Sequence, residues 1–209
     1  MPHDAASSGA SSTRVNASPA TDASAALLSE LISLGLRHII VSPGSRSQAL
    51  ALLAAEFERR GDVQLHVRID ERVAGFLALG IGRESRMPAA VICTSGTAAA
   101  NLLPAALEAH HSGVPLILLT ADRPPELRGI GANQTTDQLG MFAGLADAGR
   151  LVAIDVPVPT DVDDDGLGVQ SARSRAWARR AWDAATGSRR ALATAGPVQL
   201  NLGLREPLA

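Results

Sequence analysis

HIIVSPGSRSQAL, residues 38–50, holds a complete strand-to-helix junction. His38-Ile39-Ile40-Val41 is a short apolar run of the length of a buried strand, and Ser42-Pro43-Gly44 breaks it. A helix over about 47–60 follows and ends at Gly61. The same alternation extends in both directions. Upstream, Asp22 or Ser24 can cap a helix whose Leu27, Leu28, Leu31 and Ile32 fall at helical spacing, with Gly35 closing it. Downstream come strands at about 63–69, 89–93 and 115–120, with helices at 72–85 and 97–111 between and after them. Gly129 to Phe142 is polar and irregular, with a short helix expected near 137–144. A strand at 150–155, an acidic Pro- and Asp-rich surface loop from Pro157 to Gly166, a helix at 169–187 and a strand at 197–202 complete the pattern. In that last helix Trp177 is expected in the core, and Arg173, Arg179 and Arg180 in water. Apolar strands separated by helices imply βαβ units. The expected fold is α/β, an open and mainly parallel sheet with helices on both faces.

Composition narrows the function classes. The 209 residues are 46% hydrophobic, which suits one domain, and with three Phe, two Trp and no Tyr the core must be built from Ala, Leu, Val and Ile. A formal charge of −2 and a pI near 6.2 give no electrostatic basis for binding nucleic acid. The single cysteine, Cys93, excludes an internal disulfide and fits a reducing compartment. No apolar run approaches the roughly 20 residues that span a bilayer. Residues 1–21 lack the basic and apolar regions of a secretory signal, so an Ala/Ser-rich disordered tail, a domain over 22–209 and a cytoplasmic setting are expected.

Turns after parallel strands lie at the sheet's carboxyl edge, where open α/β sheets bind ligands. Four of them carry unusual chemistry. Pro43-Gly44-Ser45-Arg46 and Thr94-Ser95-Gly96-Thr97 lead into helices and can offer N–H groups and hydroxyls to an anion, with ordinary capping by Ser and Thr as the alternative. Arg46 and Arg123 can fork onto a carboxylate, or brace Asp122, Glu126 or a helix end. Glu71 stands where a strand gives way to a helix. It can complement the helix dipole, or point into an apolar crevice and share a proton with a ring nitrogen. Asn133 and Gln134 are hydrogen-bonding groups on an irregular loop, and Asn is also simply a good turn former. Cys93 reads as a packed core thiol, His66 as a strand residue, and His110-His111 as cations closing a helix. No HExxH, CxxC or GxSxG occurs, and no metal ligand is assigned.

Taken in order, SPGSRSQAL (42–50), HVRIDERVAGFLALGIG (66–82), TSGTAAANLLPA (94–105), LILLTADRPPEL (116–127), GANQTTDQLGMF (131–142) and GPVQLNLGLREPL (196–208) make the chain recognisable. From about residue 22 onward it closely resembles the N-terminal, pyrimidine-binding domain of the MenD family of thiamine-diphosphate enzymes. These are the 2-succinyl-5-enolpyruvyl-6-hydroxy-3-cyclohexene-1-carboxylate synthases of menaquinone biosynthesis. The TSGT and glutamate elements belong to the wider superfamily, whereas PGSRS, ADRPPEL and GANQ narrow it. The resemblance implies that Glu71 is the catalytic glutamate that hydrogen-bonds the cofactor's aminopyrimidine. Thr94, Ser95 and Gly96 then lie at the pyrimidine end, and Ser45, Arg46, Arg123, Asn133 and Gln134 contact substrate. The implied reaction decarboxylates 2-oxoglutarate and adds the resulting unit to isochorismate, in a homodimer or tetramer. In this family the diphosphate and Mg²⁺ (or Mn²⁺) sit on a separate C-terminal domain, normally of a partner chain. The two glycine turns are therefore not expected to cradle phosphate. Because the middle and diphosphate-binding domains are absent from the 209 residues, the chain alone is expected to be inactive. Competing functions are another thiamine-diphosphate enzyme of acetolactate synthase or 2-oxo acid decarboxylase type, and an idle assembly module. Arg46 and Arg123 discriminate against the former, and a Glu71 open to a crevice against the latter.

Overall fold

The computed structural model describes residues 18–142, 152–160, 164–188 and 194–208. Six strands form one sheet: β1 (His38–Val41), β2 (Gln64–Val67), β3 (Ala89–Cys93), β4 (Leu116–Asp122), β5 (Val152–Val156) and β6 (Pro197–Gly203). Their order is β2-β1-β3-β4-β6-β5, and every pairing is parallel. Strands covered on both faces must be apolar at every position rather than at alternate ones. β3 meets that requirement; β4 and β6 are also buried at every position, but carry Thr120, Asp122, Gln199 and Asn201 among their apolar residues.

Side-chain alternation along these strands splits the core into two layers. Ile39, Val41, Ala90, Ile92, Ile117 and Leu119 pack with α1 (Pro19–Leu34), α2 (Gln48–Arg59) and the long helix α6 (Asp164–Thr186). Ile40, Val91, Cys93, Leu116 and Leu118 pack with α3 (Glu71–Ser85), α4 (Thr97–Asn101) and α5 (Leu103–Ser112). Both layers are overwhelmingly aliphatic, as the scarcity of aromatic residues requires.

Four boundaries differ from the sequence expectation. Helix α1 begins at Pro19, because Ser18 Oγ accepts the Thr21 N–H at 3.1 Å and Pro19 needs no donor in the first turn. Asp22 and Ser24 therefore lie inside the helix, and the expected tail is shortened; residues 1–17 lie outside the described residues. The helix expected at 97–111 is two helices, since Pro104 has no N–H to continue the hydrogen-bond ladder from α4. Trp182, at 8% exposure, is the more deeply buried tryptophan of α6, while Trp177 is only half-buried. The turn near 137–144 is a short 3₁₀ turn at Gly140–Phe142, beyond which residues 143–151 lie outside the described region. Helix α6 starts at Asp164, inside the stretch expected to be loop.

The chain leaves β1 for the edge strand β2, and α3 then carries it back across β1 to β3. The direction of strand addition reverses there. The carboxyl ends of β1 and β3 consequently lie at a topological switch point, the place where open α/β sheets bind ligands.

Candidate active site

Two of the singled-out turns meet at that switch point. Gly44 follows β1 and Thr94 follows β3, and a Cβ built on Gly44 would fall 2.3 Å from Thr94 Cβ. Gly44 has an extended backbone (φ −166°), so contact rather than conformation demands glycine. Gly44→Ala must push Thr94 away, and a loss of about 1–3 kcal/mol is expected from overpacking. Urea unfolding of the two forms measures it, and coincident midpoints would show that the turns do not meet in this way.

The β3 turn is clamped from the other side by the loop at 134–138. Ser95 Oγ donates to Gln134 O (2.9 Å), Gln134 Nε2 donates to Ser95 O (2.8 Å), and Gly96 N–H donates to Gln138 Oε1 (2.8 Å). Gly96 adopts φ 80°, ψ −139°, and Gln134 Cγ lies 2.7 Å from where its Cβ would be. Both conformation and space therefore require glycine here. Because the Gly96 N–H is engaged, this turn is a positioned surface rather than an open anion cradle.

Glu71 opens α3, and the helix-capping explanation for it can be checked directly. The capping role belongs to Asp70, whose Oδ1 accepts the Val73 N–H at 3.0 Å. Glu71 is half-buried and makes no hydrogen bond or ion pair among the described residues. Cys93 ends β3, and burial, and after it the charge of Glu71, pushes its thiol far up. Hence Cys93 stays protonated. In the segment that carries Glu71, Val67, Ile69, Val73 and Phe76 expose apolar surface, Ile69 to 85%. A carboxylate without a partner is available to a ligand.

The arginines divide. Arg46 is buried, donates from Nη1 to Leu204 O (2.9 Å) and from Nη2 to Glu206 (3.2 Å), and so ties the β1 turn to the chain after β6. Burial and the neighbouring Arg123 pull its pKa down, with Glu206 and Asp122 acting in the opposite direction. Two buried polar atoms of this turn, Ser42 Oγ and Arg46 Nε, have no partner among the described residues. The bracing reading thus describes two of the three nitrogens of Arg46. Arg123 is different. Its guanidinium has no hydrogen bond or ion pair among the described residues. The acids that could have neutralised it are engaged elsewhere: Asp122 with Arg128 (3.0 Å) and Asn201 (2.8 Å), and Glu126 with Arg205 (2.6 Å). Two guanidiniums within electrostatic reach, one of them unpaired, favour an anion between them.

A buried polar network beneath these turns has no counterpart in the sequence reading. Gln138, 1% exposed, donates to Asn201 Oδ1 (2.8 Å) and Ala121 O (3.2 Å) while holding Gly96. Asn201 also accepts from Thr120 and donates to Asp122 and Asp155. Arg128 closes the network on Asp155 and on the Arg123 carbonyl. Its hydrogen bonds to Asp155 raise its pKa, against burial and with the Asp122 charge. The network joins the turn bearing Thr94-Ser95-Gly96 to the turn bearing Arg123. One signal existed in the sequence: Gln199 and Asn201, two apart in a strand, put two amides on one face and demand buried partners.

Of the remaining candidates, Ser45 and Asn133 are exposed, and Gln134, also exposed, holds a left-handed backbone (φ 55°) beside Gly96. Glu71, Thr94 and Cys93 are brought together at one end of the sheet, and Arg46 and Arg123 at the neighbouring turns. Among the described residues no group of three or more His, Cys, Asp or Glu is arranged to hold a metal ion.

Residues 21–141 match the family described as thiamine pyrophosphate enzyme, N-terminal TPP binding domain. The chain is 58% identical over 196 residues to the 2-succinyl-5-enolpyruvyl-6-hydroxy-3-cyclohexene-1-carboxylate synthase of Leifsonia xyli subsp. xyli, covering 91% of this chain and 30% of that protein. It is 53% identical over 191 residues to the protein of the same name from Clavibacter michiganensis subsp. michiganensis, with the same coverage of 91% and 30%. For the one from Kineococcus radiotolerans the identity is 49% over 191 residues, covering 91% and 32%. The chain spans about a third of the length of these curated relatives.

Proposed function

Since the chain belongs to the thiamine pyrophosphate enzyme N-terminal TPP binding domain family, we propose that it supplies the pyrimidine-facing half of the active site of a 2-succinyl-5-enolpyruvyl-6-hydroxy-3-cyclohexene-1-carboxylate synthase. The observation that carries this reading is the state of Glu71. With Asp70 capping the helix, Glu71 has no hydrogen bond or ion pair among the described residues, and it opens α3, the helix that carries the chain from β2 to β3. The residues fit the cofactor. An unpartnered carboxylate can accept a hydrogen bond from a ring nitrogen, and the Thr94-Ser95-Gly96 turn gives the ring a rigid, glycine-lined wall.

Bound thiamine diphosphate supplies the electron sink for decarboxylating a 2-oxo acid and for forming the new carbon–carbon bond. Glu71 then holds the proton shared with the ring nitrogen. The Arg123 guanidinium takes a substrate carboxylate in a charge-assisted fork. Arg46, Ser45, Asn133 and Gln134 border the same opening. Both proposed substrates, 2-oxoglutarate and isochorismate, are carboxylates, which accounts for cationic groups at an edge with no acid left to pair them. We place the diphosphate and Mg²⁺ on another domain of the complete enzyme, docked over the apolar flank of α3 in a homo-oligomer. Activity therefore belongs to the assembled enzyme.

The second reading, an enzyme acting on pyruvate alone, is separated by substrate choice. An enzyme carrying this domain is expected to release CO₂ from 2-oxoglutarate in the presence of isochorismate, at least about 100-fold faster than from pyruvate, the discrimination expected of a buried charged contact. Equal use of pyruvate in a CO₂-release assay would favour the acetolactate synthase or decarboxylase type.

A further inference from the structure

The two acids nearest to Arg123 in the chain, Asp122 and Glu126, have all four carboxylate oxygens taken. Asp122 Oδ1 accepts the Arg123 N–H (2.7 Å), and its Oδ2 accepts from Asn201 (2.8 Å) and pairs with Arg128 (3.0 Å). Glu126 Oε1 and Oε2 accept from Arg205 Nε (2.6 Å) and Nη2 (3.0 Å), a bidentate fork. Arg128 belongs to the buried network described above, whereas Arg205 is an exposed side chain with no place in it.

The sheet brings Arg205 to this place. β4 and β6 run parallel with Asp122 opposite Gly203, and the Leu204 N–H donates to Asp122 O (3.1 Å). The chain leaving β6 therefore runs alongside the chain leaving β4. Three consecutive residues of it act on the site: Leu204 O and Glu206 hold Arg46, and Arg205 holds Glu126 on the 3₁₀ turn Pro125–Leu127. Glu126 stands three residues beyond Arg123, so their Cα atoms are at most about 11 Å apart, a gap that the two long side chains close. Both members of the Arg205–Glu126 pair are exposed (44% and 48%), and pairs so placed add little to stability because water and salt screen them. What the pair decides is which guanidinium Glu126 neutralises.

We propose that Arg205 is a positioning residue of the anion site: by gripping both oxygens of Glu126 it keeps that carboxylate off Arg123, whose fork stays open to a substrate carboxylate. The kinetic consequence rests on the proposed function, in which Arg123 binds substrate; the choice of partner by Glu126 does not. Arg205 touches neither substrate nor cofactor in this role and acts through Glu126. Its loss is felt as competition, because a carboxylate of the protein's own then occupies the fork that the substrate needs. Saturating substrate displaces it, so KM rises while kcat holds.

Two measurements test the proposal, one of them independent of catalysis. In the purified chain, carboxyl ¹³C NMR follows the titration of Glu126, which the hydrogen bonds from Arg205 hold below the usual carboxylate range. In Arg205→Gln the Glu126 carboxyl is expected to stay low, now held by Arg123, and to rise further only in Arg205→Gln/Arg123→Gln. Equal titration of Glu126 in the single and the double variant would overturn the exchange of partners. In an enzyme that carries this domain, at low ionic strength, Arg205→Gln is expected to raise KM for one of the two proposed substrates at least about threefold, with kcat within about twofold. Arg205→Gln/Glu126→Gln is expected to restore that KM, and Glu126→Gln alone to leave it unchanged. An unchanged KM in Arg205→Gln, or a defect that persists in the double variant as a purely structural brace would give, would overturn the role of Arg205. An enzyme that makes no product from 2-oxoglutarate and isochorismate would contradict the proposed function instead, and the titration would still decide which partner Glu126 takes.

Discussion

Glu71→Gln, introduced into an enzyme that carries this domain, is expected to lower kcat by about 10²–10⁴-fold while the KM for either substrate changes by less than about threefold. Glutamine keeps the size of the side chain and its capacity to hydrogen-bond, but it cannot hold a negative charge or take a proton. The helix is not put at risk, because its N-terminus is closed by Asp70 through the Val73 N–H. Nor does the substitution break an ion pair, since Glu71 has none among the described residues. An effect on kcat therefore reports chemistry rather than folding. Steady-state kinetics with each substrate varied in turn makes the measurement. A rise in KM at unchanged kcat would move Glu71 from proton handling to substrate binding.

The second large effect is expected at Arg123. Arg123→Ala should cost about 2–5 kcal/mol in kcat/KM toward one of the two proposed anionic substrates, the price of leaving a buried carboxylate unpaired. Its backbone is secured independently of its side chain: the Arg123 N–H donates to Asp122 Oδ1 (2.7 Å), and Arg128 holds the Arg123 carbonyl (2.9 Å). The Pro124-Pro125 turn should therefore survive the truncation. Arg123→Lys should recover part of the loss, because a point charge replaces the fork. Unchanged kcat/KM for both substrates in the alanine form would mean that the guanidinium does nothing beyond filling space at the turn.

The strands were legible because a parallel sheet buried on both faces requires unbroken aliphatic runs, and AAVIC and LILLTAD have no other use in a chain so poor in aromatic residues. The order of the sheet was not legible, since the periodicities of β1 and β6 say nothing about which strands lie beside them. Helix α1 began earlier than its apolar residues indicated because its cap, Ser18-Pro19, sits in an Ala/Ser-rich stretch where a capping serine looks like any other. Pro104 announced the break between α4 and α5, yet the surrounding alanines and leucines keep helical spacing across it. At the site, the turns bearing Gly44, Glu71, Thr94 and Arg123 could be placed at one edge from strand polarity alone. Whether Glu71 was a cap or an available carboxylate could not, because Asp70 and Glu71 are adjacent acids and only geometry shows which one takes the Val73 N–H. The Gln138–Asn201 network was hidden for another reason. Its members are separated by 63 residues, and each alone reads as an ordinary polar residue of a loop or a strand.

The most direct test of the central claim follows the hydrogen on the thiazolium carbon of thiamine diphosphate bound to the assembled enzyme. Its exchange with deuterium, read by NMR after rapid acid quench, is predicted to slow in Glu71→Gln by about the factor lost in kcat, about 10²–10⁴. An exchange rate equal to that of the unaltered enzyme would contradict the assignment of Glu71 as the carboxylate that serves the cofactor.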